Sequence, residues 1–362
     1  MEATAKAVTE RLGFEVDEIE EPVPLEGVEL PQPRLKPPSG FEAIFSAAPH
    51  DRVSHALGKA YCDIVHGFRG EFAHVPDLVA RPESPEDLDI VLSFADDARA
   101  AAIPFGGGTS VVGGVEARVG EDYRGVVSVD MRRMDRVLEV DAVSRAARIQ
   151  AGATGPVLEE QLRGHGLTLR HFPQSFEYST LGGWIATRAG GHYATLYTHI
   201  DDMVESVRAL TPAGEREWNS RRLPGSGAGP SPDRMLLGSE GTLGVIVDAW
   251  MRVQERPRWR ASCGVAFPDF ASGAVAVRAL SQSGLYPTNC RLLDPTESAI
   301  TSAGPPGRAL LVLGFESAHH PVDEPMRLGL ELAREHGGEP GELSSRGPGD
   351  ERERDDPGSA AR

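Results

Sequence analysis

The sequence predicts a mixed α+β fold with two successive globular parts. A helix is indicated by the run 82–100, where Ser84 is a suitable N-cap and apolar residues recur at helical spacing. Strands are indicated over 126–154, 203–215 and 241–255, where β-branched runs alternate with short polar breaks. A further helix is expected from Gly155 to Leu162. Helix and strand signals therefore alternate along the chain.

Composition narrows the class of protein. The 362 residues include 54 acidic and 37 basic side chains, so the formal net charge is -17. Such a balance argues against binding to nucleic acid or to an anionic membrane, and any anionic ligand would need a local cluster of cations. No apolar run approaches the roughly 20 residues that span a bilayer, and the N-terminus does not resemble a targeting peptide. We expect no integral membrane segment and a cytoplasmic protein.

Cysteine and histidine spacing gives no metal or disulfide signal. The three cysteines, Cys62, Cys263 and Cys290, are far apart and lack CxxC spacing, which is typical of a reducing compartment. His319 and His320 are adjacent and lack the i, i+4 spacing of a zinc-binding helix, so we expect a surface pair. The sequence predicts no metal site.

Composition also suggests domain boundaries. We expect a lead segment at 1–73, whose stretch 15–40 is rich in Glu and Pro, and a glycine-rich domain at 74–255. A second, partial domain is expected at 256–340, because the glycine-rich signals stop near Arg256 and Pro257. The charged, glycine-containing stretch 341–362 is expected to be a disordered tail.

Three glycine-rich segments carry the strongest signal for ligand binding. The first is Pro104-Phe-Gly-Gly-Gly-Thr-Ser110, where residues without a Cβ let successive backbone N–H groups converge on an anion. It is neither a Rossmann GxGxxG turn nor a P-loop. The second runs from His171 to Gly191 and the third from Gly238 to Ile246. Anchors about 70 residues apart suit a long, bent ligand such as FAD.

These segments together resemble a known flavoprotein family. The motifs PFGGGTS, FEYSTLGGWIATRAGG, YTHIDDMV and GSEGTLGVI occur in this order and resemble the FAD-binding PCMH-type domain of the vanillyl-alcohol-oxidase superfamily. Over roughly 74–315 the chain is most similar to the alkyldihydroxyacetonephosphate synthase (alkylglycerone-phosphate synthase) family. The resemblance implies a two-subdomain FAD-binding domain followed by an incomplete α+β cap domain.

The resemblance also assigns residues to the cofactor. Pro104 to Ser110 are expected to wrap the FAD pyrophosphate, and three later segments are expected to line the rest of it. The full set is Pro104, Phe105, Gly106, Gly107, Gly108, Thr109, Ser110, Pro173, Gln174, Ser175, Phe176, Glu177, Tyr178, Ser179, Ala186, Thr187, Arg188, Ala189, Glu240, Gly241, Thr242, Leu243, Gly244, Val245 and Ile246. Asp201 and Asp202 are left without a role.

Two catalytic candidates follow. His171 stands where the family has a histidine near the flavin, so it is expected to transfer protons or bind the substrate phosphate, and a plain loop histidine is the alternative. Arg291 resembles the arginine of the family's IRLxD segment and would offer a planar fork to a phosphate or carboxylate. Its alternative role is an ion pair with Asp294.

The resemblance implies an enzyme that replaces the acyl group of acyl-dihydroxyacetone phosphate with a fatty alcohol, without net oxidation. Trp184 and Arg188 favour it over an FAD-dependent D-2-hydroxyacid dehydrogenase, whose matching stretch is usually rich in Asn. A noncatalytic FAD-binding fragment is the third alternative. The family's catalytic tyrosine and histidine-rich loop have no counterpart after Gly338, so we expect a truncated chain with little turnover. A small-molecule or lipid-phosphate substrate is expected; homodimerisation is left open.

Overall fold

The computed structural model describes residues 5–6, 8–10, 13, 19–212, 217–222, 227 and 229–348. They fall into two compact units, one within 1–82 and 86–130 and the other within 83–85 and 131–362. Helices and strands alternate in each unit, so the predicted α+β class is confirmed. The division of the chain at residues 73, 255 and 340 stays a prediction.

The first unit is built on a small, largely parallel sheet. Its strands are β1 (Phe45–Ser46), β2 (Leu78–Ala80), β3 (Ala100–Phe105) and β4 (Gly125–Asp130), in the order β1-β2-β4-β3. Strand β4 pairs in parallel with both β2 and β3 and is buried along its whole length, as expected for the centre of a parallel sheet. The helices are Pro49–Ser54, Tyr61–Phe68 and Pro85–Asp97.

The second unit begins with an antiparallel sheet. Its strands are β5 (Val137–Asp141), β6 (Ala146–Gln150), β8 (Val204–Leu210), β9 (Glu217–Asn219) and β10 (Val245–Arg252), in the order β5-β6-β10-β8-β9. The short strands β7 (Leu167–Thr168) and β11 (Gln254–Glu255) pair separately. Helices occupy Gly155–Arg163, Leu181–Thr187, Ala194–Tyr197, Ile200–Met203 and Asp233–Leu236. The core here includes Leu158, Phe176, Trp184 and Ile185.

A second antiparallel sheet follows in the same unit. Its strands are β12 (Trp259–Phe267), β13 (Asn289–Leu293), β14 (Ala309–Ser317) and β15 (Glu339–Arg346), in the order β13-β14-β12-β15. The helices are Phe270–Gln282, Pro295–Ile300 and Asp323–Glu335. Met326, Leu330 and Ala333, spaced by four and three residues, bury the apolar side of the last helix in a core shared with β12 and β14. We call this part of the second unit the cap sheet.

The expectation of a disordered tail from residue 341 is wrong for its first six residues. Residues 341–346 belong to β15, which pairs with β12 over the register Cys263↔Leu343 to Arg260↔Arg346. An edge strand gains its stability from backbone hydrogen bonds to its neighbour, so it tolerates polar side chains that a core strand would not. The rest of the predicted tail, 349–362, lies outside the described residues.

Candidate functional site

The first glycine-rich segment is a loop at the carboxyl end of a parallel strand. Pro104 and Phe105 close β3, and the loop follows directly. Gly108 has a φ of +64°, and a Cβ there would lie 2.6 Å from the Phe105 ring, so the position requires glycine. The backbone oxygen of Ser110 accepts a hydrogen bond from the Lys59 N–H at 2.7 Å, which fixes the far end of the loop. Ligands of open α/β sheets bind at this edge of the strands.

A buried polar network, which sequence reasoning missed, lies behind this loop. The Phe105 ring packs on the His55 ring at 4.2 Å between centroids, and His55 Nε2 lies 3.2 Å from Asp130 Oδ2. Arg81 bridges Asp130 at 3.4 Å and Asp51 at 2.8 Å. Its hydrogen bonds lower the pKa of Asp51. Buried, fully paired polar networks rigidify their surroundings, and this one fixes the strand end from which the loop starts.

The second segment forms a loop and a short helix whose small residues are packed closely. Thr180 caps the helix Leu181–Thr187, and a Cβ on Gly182 would lie 2.8 Å from that of Ala151. The indole Nε1 of Trp184 donates to Ser179 Oγ at 2.6 Å, and that hydroxyl donates to the Ser175 carbonyl oxygen at 2.8 Å. These two consecutive hydrogen bonds therefore link the loop 175–179 to the helix.

The third segment lies against the second. The backbone N–H of Glu240 donates to the Ala186 oxygen at 3.0 Å, and that of Gly238 donates to Ile185 at 3.2 Å. Gly244 has a φ of +154°, and a Cβ there would lie 2.5 Å from the Leu210 oxygen. The structure thus brings together the second and third segments, which are distant in sequence.

Arg188 and Asp201 form the polar end of this pair of segments. Arg188 ends the helix in the left-handed conformation and donates to Asp201 Oδ2 at 2.7 Å, and Arg234 approaches the same oxygen at 3.4 Å. Burial opposes ionisation of Asp201, but the hydrogen bond from Arg188 and the two positive charges lower its pKa overall. The Asp201 carboxylate therefore forms ion pairs with both arginines, which is a structural role.

His171 is buried and its imidazole is unsatisfied. Its side chain is 1% exposed, and neither ring nitrogen has a hydrogen-bond partner in the described parts of the chain. The ring meets the edge of Trp184 at 5.1 Å between centroids, and a Cβ on Gly191 would lie 3.2 Å from Nδ1. Burial and the charge of His199 lower the pKa of His171 to about 3. The imidazole is therefore neutral at physiological pH, with one donor and one acceptor nitrogen to offer.

Arg170, the residue before it, was not singled out from the sequence. It holds a left-handed φ of +62° and donates through Nε and Nη2 to both oxygens of Glu316, at 2.9 and 2.5 Å. Both side chains are about 95% buried, and the guanidinium also lies over the Phe172 and Tyr193 rings. Burial would lower the pKa of Arg170, but the charge and hydrogen bonds of Glu316 outweigh it and raise the pKa.

This ion pair joins the His171 loop to the cap sheet, because Glu316 lies on β14. A left-handed arginine persists only where its surroundings fix it, and here a bidentate partner and two rings do so. Burial and the charge of Glu316 also raise the pKa of Tyr197. No motif marks Arg170; only its position beside a candidate histidine could have suggested it.

The structure places Arg291 on β13 with a different partner from the one considered. Its guanidinium is 42% exposed and lies 2.9 Å from Glu297 Oε1. Asp294 instead caps the helix Pro295–Ile300 by accepting from two backbone N–H groups, so the alternative ion pair with Asp294 is wrong. Burial and the charge of Arg291 lower the pKa of His192. A role of Arg291 in substrate binding stays a prediction.

The residues present fit a flat, extended, phosphate-bearing cofactor. Gly108, with its positive φ, turns the backbone sharply after β3 at a point where a Cβ would meet the Phe105 ring. His171 keeps two buried polar atoms that have no hydrogen-bond partner among the described residues. In the described chain no group of three or more His, Cys, Asp or Glu side chains could hold a metal ion. None of its helices has the length and apolarity to cross a bilayer.

Comparison with known proteins also indicates a flavin cofactor. Residues 76–219 match the model of an FAD binding domain, and 256–344 match the C-terminal domain of FAD linked oxidases. An alkyldihydroxyacetonephosphate synthase of Dictyostelium discoideum is 40% identical over 267 residues, which cover 74% of this chain and 43% of the relative. A solved alkyldihydroxyacetonephosphate synthase structure superposes with a TM-score of 0.83 at 30% identity, covering 94% of this chain and 68% of that one. The chain belongs to the alkyldihydroxyacetonephosphate synthase family.

Membership of the synthase family confirms the family resemblance inferred from the sequence, the two-part FAD-binding fold and FAD as the cofactor. A mitochondrial D-lactate dehydrogenase [cytochrome] of Arabidopsis thaliana is a more distant relative, 30% identical over 224 residues, which are 62% of this chain and 38% of the relative. The chain spans about two fifths of the length of the curated relatives it matches. The individual cofactor and catalytic residues stay predictions, as does the cytoplasmic location.

Proposed function

We propose that the chain acts as an FAD-dependent alkyldihydroxyacetonephosphate synthase, which replaces the acyl group of acyl-dihydroxyacetone phosphate with a fatty alcohol to form an ether lipid precursor. The observation that carries the proposal is the buried imidazole of His171, which lies beside Trp184 and has no hydrogen-bond partner among the described residues, in a chain of this family. Two buried ring nitrogens without hydrogen bonds cost free energy unless a bound ligand supplies the missing partners.

The cofactor assignment follows the glycine-rich segments. In the first unit, Pro104 to Ser110 would hold the pyrophosphate with backbone N–H groups and two hydroxyls. In the second unit, Pro173 to Ser179, Ala186 to Ala189 and Glu240 to Ile246 would hold the remainder. When bound, FAD supplies the chemistry that exchanges acyl for alkoxy without net oxidation. The protein supplies binding, orientation and proton handling.

His171 would serve as a neutral hydrogen-bonding group. Because burial and the charge of His199 lower its pKa to about 3, we take it to act as a neutral donor and acceptor and not as a cation. One ring nitrogen would accept a hydrogen bond from the hydroxyl of the fatty alcohol, while the other donates to a substrate oxygen. Arg170 positions this ring by anchoring its backbone to Glu316. Arg291 would exchange Glu297 for an anionic oxygen of the substrate.

A flavin dehydrogenase acting on a D-2-hydroxyacid is the second candidate, favoured by the likeness to the Arabidopsis D-lactate dehydrogenase. Anaerobic titration of the FAD-loaded chain separates the two. Acyl-dihydroxyacetone phosphate is expected to change the flavin absorbance and a fatty alcohol to restore it, while D-lactate and D-glycolate leave the spectrum unchanged. Bleaching of the flavin by either hydroxyacid would replace the synthase proposal with the dehydrogenase. A flavin absorbance that none of the three compounds changes would indicate a noncatalytic FAD-binding chain.

A further inference from the structure

A polar cavity of about 190 Å³ lies against the cap sheet. It is much larger than the roughly 10–15 Å³ that holds one water. Its lining combines two arginines, one glutamate, two serines, a threonine, an asparagine and a tyrosine with four small or apolar residues. The polar members of the lining that matter most are Arg260, Ser262, Thr288, Asn289, Ser344 and Arg346. A cavity lined this way is suited to a polar ligand.

The positive charges in this lining outnumber the negative ones. Arg260 on β12 and Arg346 on β15 are directly opposite each other in the strand register, a placement that is destabilising for like charges. Glu316 lies opposite Arg260 in the strand register with its Oε2 3.8 Å from Arg260 Nε, and both of its oxygens also accept hydrogen bonds from Arg170. Because Glu316 is the only acid among the described residues that line the cavity, the lining and Arg170 together carry one negative and three positive charges. Burial and the charge of Arg170 lower the pKa of Arg260. An anion bound beside Arg260 and Arg346 would balance this excess of positive charge.

Two further lining groups have unused hydrogen-bonding capacity. Thr288 is 3% exposed, and its Oγ1 has no hydrogen-bond partner in the described chain; the same holds for Oδ1 of Asn289. A buried polar atom without a partner costs about 1–3 kcal/mol. Two residues further along the strands, and so on the same face of the sheet as the arginines, Ser262 lies opposite Ser344 and adds two hydroxyls. Gly314 leaves the neighbouring strand without a side chain at this point.

We propose that Arg260, Arg346 and Thr288 form an oxyanion subsite for a phosphate monoester. Two guanidinium groups and a buried hydroxyl provide convergent donors that match the several acceptor oxygens of a phosphate dianion. The proposal rests on the proposed function in one respect, because it takes the phosphate to be that of the substrate. It gives that phosphate to other residues than Arg291, which does not line the cavity, so the two assignments are alternatives that the titration below separates.

Isothermal titration of the FAD-loaded full chain tests the subsite without requiring turnover. The ligands are glycerol 3-phosphate, inorganic phosphate and, as the uncharged comparison, glycerol. The variants are Arg260→Gln, Arg346→Gln and Thr288→Val, the last of which keeps the side-chain volume. Arg278→Gln is the matched control, because it removes the same charge from an exposed position on the helix Phe270–Gln282, outside the cavity.

We expect both phosphates to bind and glycerol not to bind. Each cavity variant should raise the Kd for glycerol 3-phosphate about tenfold or more, while Arg278→Gln leaves it unchanged. Circular dichroism spectra that match wild type would show that the variants are folded, and Thr288→Val alone tests the site if an arginine variant does not fold. Unchanged affinity in the folded cavity variants would overturn the proposal, as would a loss caused by Arg291→Gln alone.

The titration of the FAD-free chain identifies the source of the phosphate. A substrate subsite predicts that glycerol 3-phosphate binds equally well with and without FAD. If loading with FAD abolishes phosphate binding, the subsite holds a phosphate of the cofactor, and its assignment to the substrate is wrong. Phosphate binding that persists in a chain whose flavin absorbance does not respond to acyl-dihydroxyacetone phosphate would contradict the proposed function and leave the subsite standing.

Discussion

The ion pair between Arg170 and Glu316 gives the sharpest stability prediction. Replacing Arg170 with Met removes both hydrogen bonds, of 2.9 and 2.5 Å, from a carboxylate that is only 4% exposed. Removing one partner of a buried pair typically destabilises by about 3–5 kcal/mol, because the other charge stays buried and unpaired. In a unit of this size each kcal/mol lowers the melting temperature by about 2–4 °C, so we expect a loss of about 6–20 °C.

A double variant and a control make this test specific. Replacing both residues by Met removes the uncompensated charge as well, so Arg170→Met with Glu316→Met should regain at least half of the loss. Arg327→Met is the matched control, since its pairs with Glu324 and Glu331 are about half exposed and contribute about 0–1 kcal/mol. Thermal unfolding of the four proteins would refute the reasoning if Arg170→Met melts with wild type, or if the double variant is as unstable as the single one.

Three further predictions concern the cofactor loop and the two catalytic candidates. Gly108→Val should abolish FAD retention in gel filtration, because a β-branched side chain would clash with Phe105 and resist the φ of +64°; undiminished FAD content would place the pyrophosphate elsewhere. His171 has a folded pKa of about 3, below its unfolded value, so its contribution to stability is present above pH 6.5 and is lost as the pH falls towards 3. His171→Gln should therefore weaken the dependence of the denaturant midpoint on pH across that range. A pH dependence equal to that of wild type would contradict the buried neutral imidazole. Arg291→Lys should weaken binding of acyl-dihydroxyacetone phosphate about tenfold while FAD affinity is unchanged, because lysine keeps the charge but loses the planar fork; equal affinities would make Arg291 structural.

The glycine segments could be predicted from sequence because their physical requirement is local. Gly108 must be glycine whatever surrounds it, since its own backbone angle and its near neighbour Phe105 exclude a side chain. The helix caps and the alternating strands are equally local, and the helix predicted from Gly155 to Leu162 appears as Gly155–Arg163.

What the sequence could not provide depends on contacts between distant residues. The partner of Arg170 is 146 residues away, and no pattern around either residue indicates the pair. Arg291 has two acidic residues nearby in sequence, and only the course of the chain pairs it with Glu297 and leaves Asp294 to cap a helix. Strand β15 carries few apolar side chains, so its backbone pairing with β12 could not be predicted from composition.

The central claim is that this chain of the synthase family holds FAD without a covalent bond. Acid precipitation of the purified yellow protein tests it directly, with flavin in the supernatant quantified by absorbance and identified by mass spectrometry. We predict intact FAD in the supernatant, close to one per chain, and a colourless pellet. Colour that stays in the pellet, or a purified and FAD-supplemented chain that holds no flavin at all, would contradict the account.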